Sequence, residues 1–86
     1  MPTISVFYGI IIRMYHTEHN PPHIHAYYQS NNAVYSIKEC EMIDGAMPKK
    51  QNALIKAWME LHQDELLANW DLAMYKEDIC KIEPLK

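Results

Sequence analysis

The amino-acid sequence predicts an α+β fold in which a small antiparallel β-sheet comes first and C-terminal helix covers it. Two observations predict this fold. Up to Gly45, short segments rich in β-branched and aromatic residues are separated by turn-forming residues. Beyond Pro48, apolar residues recur at intervals of three and four, which is typical of a helix buried along one side. We therefore expect the N-terminal strands to form the sheet and the C-terminal segment to pack against it.

Five segments of the N-terminal half are predicted to be strands because their composition suits a pleated, half-buried surface. The pair Tyr8-Gly9 offers a turn between the first two, and Asn20-Pro21-Pro22 prevents regular pairing before the third. The predicted strands are residues 3–7, 10–15, 23–28, 33–37 and, as a short partner of the fourth, 41–43.

The C-terminal half is predicted to form two helices or one sharply bent helix. Pro48 suits the first helical turn, where an N–H group would have no intrahelical partner. An apolar stripe at helical spacing then follows, formed by Leu54, Trp58 and Leu61. A second apolar cluster, residues 66–74, is helical but out of phase with the first, so we expect a break near Gln63. The tail, residues 79–85, is predicted to add an edge strand.

The length and the charge of the chain limit what it can do. With 86 residues it is expected to fold as a single domain, 1–86, and a domain this small has a thin stability margin to which a second copy could add. The net charge is -3 and Arg13 is the single arginine, which argues against gripping long nucleic acid by charge alone.

The compartment is predicted to be the cytoplasm. Cys40 and Cys80 lie far apart without metal-type spacing, as expected of two reduced thiols. The N-terminus lacks the basic region and cleavage site of a signal peptide, and its apolar run is too short to span a bilayer.

The most informative stretch is EHNPPHIH, residues 18–25, which holds three of the five histidines around a double proline. Residues two apart in a strand share a face, so His23, His25 and Tyr27 should lie side by side while Ile24 faces the core. Three interpretations remain open from these residue types: an acid/base site, a metal site, or a stiff turn whose histidines hydrogen-bond loop backbone or contact a partner protein.

The acid/base interpretation predicts cleavage of RNA without a cofactor. Imidazole can accept and donate protons near neutral pH, so His23 and His25 could act as base and acid. Arg13 could hold the phosphate, and Tyr27 or Tyr15 could stack on a base or donate a proton.

Two further sets of residues are candidates. His62 and Glu65 share a helix face, and Glu65 could orient a histidine if that face meets the sheet. As an alternative to the acid/base site, His19, His23 and His25 could bind zinc or another divalent transition metal, although no Cys or acidic ligand recurs at a suitable spacing.

Longer motifs carry a family resemblance through nearly the full chain. They are MPTISVFYGI, IIRMYHTEHNPPHIHAYY, the Gly-x-x-Pro of GAMP, WMELHQDELLANW and KIEPL. Together they resemble a small bacterial family known as domain of unknown function four-one-six-zero. Its central pattern resembles Asp-His-x-Pro-Pro-His-apolar-His, and Glu18 stands here where the family usually shows aspartate.

The resemblance implies a toxin-like protein with a partner. Genes of this family often lie beside one for a second small domain, as in type II toxin–antitoxin modules, which implies an antitoxin-like partner. Small toxins of this kind are often ribonucleases. The expected site therefore uses His23 and His25 as catalytic pair and Arg13 on phosphate, with His19 and Glu18 supporting or orienting them.

Overall fold

One five-stranded antiparallel sheet forms the N-terminal half of the computed structural model, which describes residues 3–16 and 19–86. Each strand pairs with the next along the chain, in the order β1-β2-β3-β4-β5. The strands are β1 (Thr3–Phe7), β2 (Ile10–Arg13), β3 (His23–Tyr28), β4 (Asn31–Ser36) and β5 (Glu41–Gly45). The predicted antiparallel sheet is thus confirmed, and every predicted strand overlaps an observed one, although β2 ends two residues early.

Two helices follow the sheet, α1 (Lys49–Leu61) and α2 (Gln63–Met74). His62 separates them with φ -120° and ψ 22°, which is outside helical geometry. The break lies where the two apolar clusters change phase, and both helices bury residues in the core. The α+β fold with two C-terminal helices is therefore confirmed.

The core lies between the helices and one face of the sheet. β3 shows the alternation most clearly, because Ile24 and Ala26 are both 0% exposed while their neighbours along the strand are half-buried. On α1 the buried residues are Ile55, Trp58 and Met59. The sequence-based assignment of Leu61 to this stripe was wrong: it is 71% exposed, since it lies roughly 110° around the helix from the centre of the buried stripe.

Polar and aromatic contacts join the helices to the sheet. The hydroxyl of Tyr35 in β4 donates to Asn52 Oδ1 in α1 at 2.7 Å, and burial raises the pKa of Tyr35 to about 12. The rings of Phe7 and Trp58 lie 5.3 Å apart. Burial, followed by the charges of two nearby carboxylates, raises the pKa of the Cys40 thiol, so Cys40 is a protonated core group.

The tail lies beside β1 but is not the predicted edge strand. One backbone hydrogen bond joins the two segments, from Ile82 N–H to Ile4 O at 2.8 Å. The buried side-chain amide of Asn69 bonds both backbone polar groups of Cys80. Its Nδ2 donates to Cys80 O at 2.7 Å, and its Oδ1 accepts from Cys80 N–H at 3.1 Å. The indole N–H of Trp58 donates to Glu83 O at 2.8 Å. Helix side chains therefore hold backbone groups that a strand ladder would have used.

Gly45 is expected to be the more sensitive of the two glycines to substitution. Its φ is +86°, and an added Cβ would lie 2.4 Å from Asn32 O and 2.7 Å from Ala33 Cα, both backbone atoms. Gly9 has a similar φ of +78°, but there a Cβ would lie 3.4 Å from the Tyr28 ring. Gly9→Ala should therefore cost only the roughly 1–2 kcal/mol of left-handed backbone. Gly45→Ala should cost more, about 3 kcal/mol or above, because β4 must also move.

Urea unfolding of both variants measures this difference. Both variants bear the cost of an alanine in left-handed backbone, but only Gly45→Ala also has a clash with backbone atoms. Equal losses in the free energy of unfolding would show that β4 is not held against Gly45.

Candidate functional site

Five of the predicted site residues lie together on the sheet face opposite the core. They are Arg13, Tyr15, His23, His25 and Tyr27, and we call them the histidine face. All five are half-buried. β3 places its three members on one side because they alternate with the buried Ile24 and Ala26. This arrangement agrees with the alternation from which His23, His25 and Tyr27 were predicted to share one face of the strand.

The strand register brings Arg13 directly beside His25. The two residues are cross-strand partners between β2 and β3, at a separation where side chains on the same face meet. The guanidinium carbon of Arg13 lies 5.1 Å from the centre of the Tyr27 ring, which is a cation–π arrangement. Its Nε donates a long hydrogen bond of 3.4 Å to Thr3 Oγ1 in β1. The guanidinium of the histidine face is therefore held by its neighbours on both sides.

Aromatic contacts connect the remaining members of the histidine face. The rings of His23 and His25 lie 5.3 Å apart, and the Tyr15 ring meets His25 edge-on at 4.8 Å. The hydroxyls of Tyr15 and Tyr27 share a hydrogen bond of 2.7 Å. Although β2 ends at Arg13, Tyr15 thus remains part of the face. Two imidazoles, a guanidinium and two phenols meet within one patch.

The backbone of the preceding loop determines the tautomer of His23. Its Nδ1 lies 2.7 Å from the carbonyl oxygen of Pro21. A carbonyl oxygen can only accept a hydrogen bond, so Nδ1 carries the proton. In the neutral ring the lone pair is then on Nε2, as a general base requires. The Trp70 ring of α2 lies 5.0 Å from the His23 ring and supports its orientation.

His16 is anchored to the segment that directly follows α2. Its Nε2–H donates to Glu77 O at 2.9 Å, and Lys76 Nζ donates to His16 O at 3.0 Å. These contacts fasten the beginning of the β2–β3 loop to the helical layer. His16 therefore contacts the segment that follows α2 and not the histidine face.

His19, the other histidine of this loop, is not part of the histidine face. His19 is exposed, and Glu18 lies outside the described residues. Within residues 3–16 and 19–86, no three His, Cys, Asp or Glu side chains gather closely enough to hold a metal ion. His19, His23 and His25 thus do not converge as three ligands.

His62 and Glu65 form a pair at the junction of the helices. The Nδ1–H group of His62 donates to Glu65 Oε1 at 2.6 Å, and the His62 ring lies 5.6 Å from that of Trp58. The carboxylate therefore pairs with the histidine at the junction of the two helices, which the sequence had placed on one helix face with it, and not with a histidine of the sheet. The pair belongs to the helical layer, whereas the two histidines of β3 lie on the sheet.

Two contributors to the site were missed from the sequence, namely the Pro21 carbonyl and the Trp70 ring. The carbonyl is a backbone group that no residue type reveals. Trp70 follows the helical period of the core, and its buried position agrees with that pattern. Its contact with His23 depends on how α2 packs against the sheet, which the spacing does not encode.

Comparisons with known proteins identify the family of the chain. Residues 9–71 match the model of a family described as Domain of unknown function (DUF4160). Neither the curated proteins nor the solved structures include a significant match. Among the described residues, no helix is both long enough and apolar enough to cross a bilayer. Since the match spans β2 to most of α2 and includes the whole histidine face, the chain belongs to the DUF4160 family.

Proposed function

We propose that the protein is a metal-independent endoribonuclease, acting in the cytoplasm as the toxin-like component of a two-gene module. The observation that carries this proposal is the adjacency of His23 and His25, 5.3 Å apart, with Arg13 directly opposite His25. These three side chains supply a base, an acid and a cation for the phosphate, which are the groups that RNA cleavage requires.

Each side chain has a defined role in the proposed reaction. His23 accepts the 2′-hydroxyl proton at Nε2, because its Nδ1–H is held by Pro21. The 2′-oxygen attacks phosphorus, and the bond from phosphorus to the 5′-oxygen breaks. Protonated His25 gives its proton to that leaving oxygen, and Arg13 stabilises the charge on the phosphoryl oxygens. The products are a 2′,3′-cyclic phosphate and a 5′-hydroxyl.

Cleavage of a defined single-stranded RNA by the purified protein in excess chelator tests the proposal. We expect 2′,3′-cyclic phosphate ends on the RNA and no cleavage of a DNA of the same sequence, because DNA lacks the attacking hydroxyl. Equal cleavage of the RNA and the DNA would contradict the mechanism, and an RNA that stays intact would contradict the proposed activity. In a bacterial host, induced expression should slow growth and alter RNA, and His23→Ala should do neither.

A second candidate function is binding of a small antitoxin-like protein through the loop before β3. One observation favours it. His19 and Pro21 are exposed, while the loop is held to the rest of the fold by a hydrogen bond from Ile37 N–H to Pro22 O at 3.0 Å. A loop held in this way is pre-organised for a partner. Partner affinity that falls in His19→Ala and is retained in His25→Ala would support binding by the loop, separate from the catalytic pair.

A further inference from the structure

The sheet that carries the histidine face is nearly without positive charge. Its five strands contain a single Lys or Arg residue, Arg13. Cross-strand pairing places Arg13, His25, Val34 and Asp44 in one row across four strands, so a carboxylate lies at the far end of the same row. A polyanion lying along this row would meet the guanidinium of Arg13 and the imidazole of His25 at one end and the carboxylate of Asp44 at the other.

Several lysines elsewhere already have partners. Lys76 donates to His16 O at 3.0 Å. Lys56 in α1 pairs with Glu41 at 3.1 Å, and Lys86 lies 3.6 Å from Glu83. The net charge of the whole chain is -3. These partnered lysines, the net negative charge and the single Lys or Arg residue of the strands all argue against a series of phosphate contacts leading to the histidine face.

We infer that the histidine face binds its substrate through one phosphate. It therefore recognises two nucleotides of single-stranded RNA and the phosphodiester between them, and not a long stretch of RNA. This inference rests on the proposed ribonuclease function and specifies its substrate class. Arg13 binds the phosphate of the bond that breaks, and the tyrosine rings contact the flanking nucleotides. Nucleotides beyond these two add little to binding.

The salt dependence of kcat/KM tests the inference. Each phosphate contact with a single strand contributes a slope of about -0.7 in a plot of log affinity against log salt. For a single-stranded RNA bound through one contact, kcat/KM should fall by roughly 2.6-fold when salt rises fourfold, and three contacts would give roughly an 18-fold fall. The probes are the dinucleotide UpA and a 20-nucleotide RNA with one such step. We expect the two substrates to agree within about threefold at equal salt, because neither gains further phosphate contacts.

Charge variants locate the contact. Arg13→Gln should lower kcat/KM at least tenfold and flatten the salt slope toward zero, because it removes the one phosphate contact. Lys50→Gln, at an exposed position at the start of α1, removes the same charge away from the sheet and should leave rate and slope unchanged.

Two outcomes overturn the inference while the ribonuclease proposal stands. One is that the longer RNA shows a slope of log kcat/KM against log salt of about -1.5 or steeper, or a kcat/KM more than about tenfold above that of UpA. The other is an unchanged slope in Arg13→Gln. Failure to cleave either substrate would instead overturn the proposed function itself.

Discussion

Replacing His25 with alanine is expected to slow RNA cleavage by about 10²- to 10⁴-fold, the usual contribution of a positioned general acid. The proposed acid lies between its two ring neighbours, His23 at 5.3 Å and Tyr15 at 4.8 Å, and opposite Arg13. Alanine removes the proton donor for the 5′-oxygen and leaves the base in place. Because the residue is half-buried on the sheet face opposite the core, the fold should survive.

The pH profile of kcat/KM distinguishes this role from a loss of structure. The native protein should show a bell-shaped profile, because one imidazole must be neutral and the other protonated. His25→Ala should lose the alkaline limb, and His23→Ala should lose the acidic limb. His62→Gln is the matched control, since that histidine pairs with Glu65 in the helical layer. A full bell in His25→Ala, or an equal loss in His62→Gln, would remove His25 from the reaction.

Replacing Trp58 with alanine is expected to lower the free energy of unfolding by about 3–5 kcal/mol, the usual cost of deleting a buried tryptophan side chain. Trp58 is 0% exposed and packs against Phe7 with ring centres 5.3 Å apart. Its removal also leaves the Glu83 carbonyl without its indole donor. In a domain whose total stability is only about 5–15 kcal/mol, this single change could unfold much of the population.

Chemical denaturation, read by circular dichroism, measures that loss. Leu61→Ala is the matched control because it shortens a large apolar side chain on the same helix at a position that is 71% exposed. Its unfolding free energy should stay within about 0.5–1 kcal/mol of the native value, helped by the favourable helix propensity of alanine. A loss of stability in Leu61→Ala as large as in Trp58→Ala would mean that α1 buries a different face.

The parts of the fold that follow from local patterns could be predicted. Alternation in β3 separated Ile24 from the two histidines, and the change of helical phase located the break next to Gln63. The histidine face follows from the same alternation, extended to β2 once the strands pair. These features depend on neighbours in sequence and on one antiparallel register.

The parts that depend on distant partners could not be predicted. The tail reads as a strand by composition, but the side chains of Asn69 and Trp58 take its polar backbone groups. His16 resembles the other loop histidines in type, yet its carbonyl and ring bind the two residues Lys76 and Glu77 that follow α2. In each case a tertiary hydrogen bond outweighs local preference, and no spacing along the chain reveals it.

Because hydrogen bonds join the helices to the tail, the part of the chain that folds as one unit is longer than the segment that the family model matches. The family model matches residues 9–71, which leaves out β1 and the tail residues that Asn69 and Trp58 bind. A protein cut to those boundaries would expose the outer edge of β2 and leave the indole N–H of Trp58 without its acceptor. The recognisable segment carries the histidines, whereas the flanking segments complete the fold that holds them in place.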